Sequence, residues 1–230
     1  MPKPSPGSPV YCSGPMFSIA DLWEQEQIAA TLEHAQYTTY LPQRDGIEVA
    51  RVMAMVSNGP MQDTGISEEI GELVRKAVFA LDMFQLLERC QSLVFNMDGR
   101  VPDEGAVVET AASFVAGKPI VIFKTTPLTL IAGEDNPMVQ GLSTTWAYAA
   151  KLTELAPALS AAVEASANAG TYTYHPPRHV SSVITLGHAV WDFLQAMRWV
   201  SGTEEELLAL VEKLAGEFKG SSLFRSAFGG

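Results

Sequence analysis

The sequence is poor in cysteine and in basic residues, and it has no long apolar run. Its two cysteines, Cys12 and Cys90, show neither metal-binding nor CxxC spacing, which favours reduced, buried thiols in a cytoplasmic protein. With 15 Lys and Arg against 26 Asp and Glu, the formal net charge is −11. This charge argues against binding to a nucleic-acid polymer or an anionic membrane, because both require a basic surface. No apolar run reaches the length of a membrane span.

Several signatures of common functions are also missing. The N-terminal "MPKPSPGSP" lacks the apolar stretch of a secretory signal, and we expect residues 1–9 to form a disordered lead. There is no GxGxxG, no Walker A loop and no GxSxG elbow. His175 and His179 are four residues apart, but the two prolines between them oppose the helix that would direct both at one metal ion. We therefore predict no metal site and no cofactor.

Apolar runs that alternate with helical patterns predict the fold class. The runs Pro9–Gly14, Tyr37–Pro42, Ser92–Met97 and Pro119–Phe123 are typical of buried strands, and Thr171–Tyr174 is the one further candidate. Continuously apolar strands that alternate with helices indicate a parallel sheet covered on both faces. We predict an α/β fold, a Rossmann-like (flavodoxin-like) doubly wound parallel sheet of about five strands with a C-terminal helical extension.

The helical patterns set the expected domain organisation. Ser18 and Ser67 are placed to cap helices, and a further helix is expected over Ile47–Ser57. Beyond Met138 the chain is predicted to be mainly helical, with its last two helices over Val180–Trp199 and Thr203–Phe218. We expect an α/β domain over residues 10–150, and a helical extension over 151–230 that packs on this domain or at an oligomer interface.

Three acidic residues are predicted to meet at one edge of the sheet. Asp103 follows the third strand, and Glu109 lies on the helix that leaves the same loop. Asp82 lies on the helix that enters that strand, at a height that returns it to the same edge. Ligands of parallel sheets bind beyond the carboxyl ends of the strands. Glu109 is expected beside an apolar stripe that faces the core, formed by Val108, Ala111, Ala112 and Val115.

Clustered carboxylates suit cleavage of a glycosidic bond. Like charges at close range raise one another's pKa, so that one group stays a neutral donor while another remains an anionic nucleophile. The nucleophile attacks the anomeric carbon, and another group manages the proton of the leaving group. This chemistry requires no metal ion.

From Val10 to about Met138 the sequence resembles the nucleoside 2-deoxyribosyltransferase family. The resemblance rests on "VYCSGPMF", "DGRVPDEGAVVE", "GKPIVIF" and "NPM", in this order and spacing. It implies exchange of the nucleobase between 2′-deoxynucleosides and free nucleobases. The implied route is a double displacement through a covalent deoxyribosyl-glutamate, with net retention at C1′.

The resemblance also implies roles for individual residues. Glu109 matches the nucleophile, Asp103 the acid that contacts the sugar, and Asp82 the acid linked to the base and its proton. Tyr11 matches the tyrosine that orients the nucleophile. The other positions implied to bind substrate are Gly14, Phe17, Gln43, Arg44, Asp45, Asp98, Gly105, Asn136 and Met138.

Two of these positions imply a shared active site. In the family, the residues that match Asn136 and Met138 complete the site of a neighbouring subunit. This implies a homo-oligomer: at least a dimer is expected, and a tetramer or hexamer built from such dimers. Large apolar side chains of the tail are expected to form an exposed patch that a partner covers, namely Trp146, Tyr148, Trp191, Phe193 and Trp199.

Two features leave alternatives open. The family helix commonly has an apolar residue and a glycine after the nucleophile, whereas here Thr110 and Ala111 follow Glu109. Related nucleotide hydrolases often have serine at the position of Asp103, and an aspartate there would repel a 5′-phosphate, which favours a nucleoside. A nucleoside or nucleotide N-glycosidase and a non-enzymatic nucleoside-binding module remain the alternatives.

Overall fold

A five-stranded, all-parallel sheet organises the protein and confirms the predicted α/β fold. The computed structural model describes residues 7–58, 66–99, 101–126, 135–170, 174–197 and 203–229. In chain order the strands are β1 (Pro9–Ser13), β2 (Thr38–Tyr40), β3 (Ser92–Asn96), β4 (Ile120–Phe123) and β5 (Tyr148–Ala149). Their order across the sheet is β2-β1-β3-β4-β5. From β1 the chain adds β2 on one side of the sheet and then β3, β4 and β5 on the other side. The gap between β1 and β3 is therefore the topological switch point, where doubly wound folds bind ligands.

The fifth strand differs from the sequence prediction. Tyr148 and Ala149 pair with Ile122 and Phe123 of β4, and the backbone N–H of Lys124 donates to the Ala149 carbonyl at 2.9 Å. Two residues are too few to produce a recognisable hydropathy pattern. Of the predicted candidate Thr171–Tyr174, residues 171–173 lie outside the described part of the chain.

Helices occupy most of the remaining described chain. They are α1 (Ile19–His34), α2 (Pro42–Asp45), α3 (Val49–Asn58), α4 (Ile66–Phe84), α5 (Glu104–Val115), α6 (Pro137–Gln140), α7 (Leu155–Asn168), α8 (Arg178–Ala196), α9 (Glu204–Lys213) and α10 (Ser222–Phe228). Ser18 caps α1 as predicted, in a reciprocal capping box with Asp21. The predicted cap at Ser67 is wrong, because α4 already includes Ile66.

By its internal contacts the chain forms two compact units that are not consecutive in sequence. The first comprises the described residues up to Leu41 and those from Arg89 to His175, and the second comprises those from Pro42 to Glu88 and from Pro176 onward. The sequence predicts a single boundary near residue 150, whereas the chain passes between the two units near residues 41, 88 and 175. No helix of the described residues is long and apolar enough to cross a membrane.

In the first unit, helices cover both faces of the sheet. Cys12 of β1 and Val94 of β3 pack with Leu32 of α1 and Leu159 of α7 in one buried cluster. Successive side chains of a strand alternate between the two faces. Tyr11 and Ser13 of β1 therefore point to the opposite face, where α5 lies.

The second unit is a helical assembly whose central contact joins α4 and α8. At Gly187 of α8, an added Cβ would lie 1.9 Å from the carbonyl oxygen of Ala80 and 2.7 Å from the Cβ of Phe84. Phe84 also stacks on the ring of His188, with centroids 4.6 Å apart. The two helices approach so closely that only glycine fits at position 187.

This packing predicts a strong effect of Gly187→Ala. The new methyl group would collide with backbone atoms of α4, so we expect a loss of about 1–3 kcal/mol in the free energy of unfolding. Gly216→Ala is the matched control, because a Cβ there meets no atom of the described residues within 4 Å. Urea denaturation of both variants measures the difference, and an equal effect of the two substitutions would contradict the close helix contact.

Candidate active site

The site begins where α5 starts, beyond the carboxyl end of β3. Asp103 is the N-cap of α5, and its Oδ2 accepts a hydrogen bond of 2.7 Å from the backbone N–H of Ala106. A carboxylate at this position satisfies one of the unpaired N–H groups of the first turn and interacts favourably with the helix dipole. Asp103 therefore has a structural function in addition to any role that it has in binding.

Glu109 lies on the side of α5 that faces the sheet. The buried residues of this helix are Ala106, Thr110 and Ser113, which are small and allow the helix to approach the strands closely. The Thr110 hydroxyl donates to the Ala106 carbonyl at 2.6 Å, so its burial leaves no hydroxyl unsatisfied. A helix face made of small and hydroxyl residues leaves room for one carboxylate between helix and sheet.

The predicted core-facing stripe on this helix is wrong. Val108 and Val115, two of its four members, are 67% and 63% exposed. The prediction used hydropathy alone, whereas the packing of α5 on the sheet selects small side chains. The most apolar face of α5 is consequently directed away from the sheet.

Both oxygens of the Glu109 carboxylate accept hydrogen bonds from hydroxyls of β1. The Tyr11 hydroxyl donates to Oε1 at 2.9 Å, and the Ser13 hydroxyl donates to Oε2 at 2.6 Å. Tyr11 and Ser13 are themselves buried, and the Tyr11 ring also contacts the ring of Tyr40 on β2. The carboxylate is thus fixed by two donors that stand two residues apart on one rigid strand.

Burial dominates the ionisation of Glu109. It raises the pKa of this carboxyl from 4.5 to about 7, while the hydrogen bonds from Ser13 and Tyr11 lower it and the charge of Asp103 raises it. Like-charge repulsion, which the clustered acids predict as the main cause of a raised pKa, contributes less here than the cost of desolvation. Near neutral pH, Glu109 is therefore poised between its acid and its carboxylate.

The structure gives Asp98 a place in the framework of the site. Its carboxylate accepts from the backbone N–H groups of Thr125 and Thr126 at 2.9–3.0 Å and from the Thr125 hydroxyl at 2.5 Å. These bonds tie the segment after β3 to the segment after β4. With both of its oxygens engaged, Asp98 shapes the edge of the sheet, and its predicted contact with substrate stays a prediction.

Gly14 follows β1 at the same edge and is packed against other polar residues. A Cβ at this position would lie 1.9 Å from Nε2 of Gln25 and 2.7 Å from the Cβ of Asn96, so a side chain does not fit. The Asn96 amide donates to Glu24 at 2.8 Å. Burial, the largest cause, raises the pKa of Glu24. Gly14 allows this close approach and brings the chain into α1.

Three other predicted residues are exposed in the first unit. Phe17 and Met138 are 81% and 80% exposed, and Gly105 is exposed in the first turn of α5. Asn136 is the N-cap of α6, and its Oδ1 accepts from the backbone N–H of Met138 at 2.9 Å. Before this cap, the buried Asp135 forms an ion pair with Lys124, which anchors the start of the Asn136–Met138 segment.

The remaining predicted residues belong to the second unit. Asp82 is half-buried on α4, and its convergence with Asp103 and Glu109 stays a prediction. Gln43, Arg44 and Asp45, which the resemblance implies to bind substrate, lie on a helical turn, α2. There, Arg44 forms a two-pronged ion pair with Asp45, with both N···O distances at 3.0 Å.

Sequence reasoning missed Ser13. The signal was present, because Ser13 stands two residues after Tyr11 on a predicted strand and therefore shares its face.

Among the described residues, no group of three or more His, Cys, Asp or Glu side chains is arranged to hold a metal ion.

Known proteins give little information about this chain. A scan against protein-family models and a search of curated proteins found no match. Among solved structures, the chain is similar to a conserved protein from Enterococcus faecalis V583, with 19% sequence identity and a TM-score of 0.46. The similarity covers 67% of this chain and 98% of that chain. A likeness at this level supports no inference about function.

The raised pKa of Glu109 predicts a pH-dependent gain in stability for Glu109→Gln. In the unfolded chain this carboxyl ionises near pH 4.5, whereas in the folded chain it ionises near pH 7. The wild type therefore loses stability as the pH rises through this window, and the variant does not. We expect the variant to be more stable by about 2–3 kcal/mol at pH 8, with little of this gain left at pH 4.

Thermal and urea denaturation of both proteins across this pH range measure the effect. Glu104→Gln is the matched control, because it makes the same change at an exposed position of α5 and should alter stability by about 0.5 kcal/mol or less. A gain for Glu109→Gln that is independent of pH would contradict the buried, proton-binding carboxyl.

Proposed function

We propose that the protein is a nucleoside 2′-deoxyribosyltransferase that exchanges the nucleobase of 2′-deoxynucleosides. The observation that carries this proposal is the Glu109 carboxylate, fixed by Tyr11 and Ser13 beside the carboxyl edge of a parallel sheet. An acid buried in this way is costly to the fold, which is a mark of a functional group. The sequence resemblance assigns the nucleophile to the same residue and its orienting tyrosine to Tyr11.

The reaction follows from the chemistry of a fixed carboxylate. In the first step, an oxygen of Glu109 forms a bond to C1′ of the deoxyribose, the C1′–N bond breaks, and the electron pair leaves with the base, which takes up a proton. In the second step, a nitrogen of the acceptor base attacks C1′ and releases the carboxylate. Two displacements at one carbon give net retention.

The acids around Glu109 have different proposed roles. Asp103 keeps one oxygen on the first turn of α5, and its negative charge favours a free 5′-hydroxyl over a 5′-phosphate at the sugar. Asp82 is proposed to exchange the proton of the base, as the resemblance implies. The first step requires the ionised form of Glu109, so its rate should rise with pH through about 7.

A product assay tests the activity directly. The enzyme, a 2′-deoxynucleoside donor and a free acceptor base should yield the new deoxynucleoside, and Glu109→Gln should lower this rate by about 10³-fold or more. Mass spectrometry of the wild type with a slow donor should detect a deoxyribosyl adduct on Glu109. An adduct on Asp103 or Asp82 would overturn the assignment.

The same assay separates the alternative functions. Release of free deoxyribose in the presence of excess acceptor would identify an N-glycosidase, in which water resolves the intermediate. Tight binding of deoxynucleosides without turnover would instead identify a nucleoside-binding module. Either result would contradict base exchange.

We also propose that the active protein is a homo-oligomer, at least a dimer, whose subunits share active sites. Four exposed apolar side chains support this proposal. Val108 and Val115 lie on the outer face of α5, and Phe17 and Met138 are two of the residues that the resemblance implies to bind substrate. The expected tail patch is only partly present. Trp146 is 59% exposed, but Trp191 and Phe193 pack against the core of the second unit, Tyr148 is half-buried, and Trp199 lies outside the described residues.

Subunit mixing tests the shared site. Asn136→Asp keeps an oxygen that can cap α6 but removes the amide donor, so it should lower exchange and leave the fold intact. Mixing inactive Glu109→Gln subunits with Asn136→Asp subunits should restore activity, because hybrid dimers contain one intact site. If sedimentation shows a monomer at a concentration at which the protein is fully active, the shared site is excluded.

A further inference from the structure

The hydroxyl of Ser13 is a polar group in the site to which the sequence resemblance gives no role. It donates the shorter of the two hydrogen bonds to Glu109, 2.6 Å against 2.9 Å for Tyr11. We propose that Ser13 is a positioning residue that holds Glu109 in its ionised form and speeds release of the covalent intermediate. The part that concerns the intermediate rests on the proposed function, and the part that concerns ionisation does not.

The setting of Ser13 suits this role. The residue is buried, with only 1% of its surface exposed, so its hydroxyl is held against α5. Its hydroxyl also lies 3.5 Å from the carbonyl oxygen of Ala106, one turn before Glu109 on α5. The proton therefore has a second acceptor within reach whenever the carboxylate becomes a weaker acceptor.

The surroundings of Glu109 leave the two hydroxyls as the groups that favour its ionised form. The groups that act on the ionisation of its carboxylate include Tyr11 and Ser13 from β1 and Asp103 from the start of α5. The strands β3 and β4, which also pack on α5, read SLVFN and IVIF and contribute no ionisable side chain. Burial and Asp103 oppose the anion, and the two hydroxyls favour it. Of these two, the Ser13 hydrogen bond has the larger effect.

The same hydrogen bond acts differently on the two half-reactions. A donor binds an anionic carboxylate more strongly than a neutral ester. In the second half-reaction, the nitrogen of the acceptor base forms its bond to C1′, the C1′–O bond breaks, and the electron pair returns to the Glu109 oxygen while the base loses its proton. Ser13 stabilises the carboxylate that forms in this step, which makes Glu109 a better leaving group.

The first experiment titrates Glu109 without any substrate. Carbon-13 NMR of carboxyl-labelled glutamate follows the ionisation, and Glu109→Gln assigns the resonance. Ser13→Ala should shift the Glu109 midpoint upward by about one pH unit or more, because a hydrogen bond to a charged group is lost. Ser13→Thr, which keeps a hydroxyl, should restore the wild-type midpoint.

Ser92→Ala is the matched control. Ser92 is a buried serine on β3 whose hydroxyl has no hydrogen-bond partner among the described residues, and its loss should leave the midpoint unchanged. An unchanged Glu109 midpoint in Ser13→Ala, or an equal shift in Ser92→Ala, would overturn the role of Ser13 in ionisation. This readout does not depend on whether the protein exchanges bases.

The second experiment measures the intermediate by rapid quench with a saturating deoxynucleoside donor, at a pH where Glu109 is ionised in every variant. Breakdown of the adduct should be about tenfold slower in Ser13→Ala than in the wild type, so the adduct should accumulate. Equal breakdown rates would overturn the role in release. Absence of any adduct and product in the wild type would instead refute the proposed function, and the titration would still decide the role in ionisation.

Discussion

The burial of one carboxylate between β1 and α5 is the constraint on which the candidate site depends. Because desolvation disfavours the charged form of Glu109, the surrounding structure has to supply donors, and β1 supplies both from alternate positions. The same constraint explains the unusual composition of α5. Ala106, Thr110 and Ser113 are buried on the face of the helix that packs on the sheet, and their small size places the Glu109 carboxylate within reach of the hydroxyls of β1.

The fold was largely accessible from the sequence, because long apolar strands and capped helices leave strong local signals. Four of the five strands and the cap at Ser18 were predicted from such patterns. The strand Tyr148–Ala149 was not, because its pairing with β4 depends on tertiary contacts and its length gives no periodicity. The division into two units was equally hidden, since it joins segments that are distant in the chain.

The site was predicted in part. Tyr11 was predicted from the resemblance alone, and Glu109 and Asp103 also from their place beyond the third strand. In the structure Tyr11 donates to Glu109, and the charge of Asp103 acts on the same carboxyl. The orientation of α5 was predicted incorrectly, because hydropathy does not report which face a helix must present to a crowded sheet. Ser13 was overlooked because a serine in a strand is unremarkable until its neighbour across the interface is known.

The alternation of β1 has a consequence for how this protein can change. Val10 and Cys12 fill the core on one side of the sheet, and Tyr11 and Ser13 hold the acid on the other. The two faces of this four-residue stretch therefore share one backbone, and any shift of β1 would disturb the core and the carboxylate contacts together. The segments beyond the strand ends are under no such double constraint, so substitutions there can vary while this shared strand stays intact.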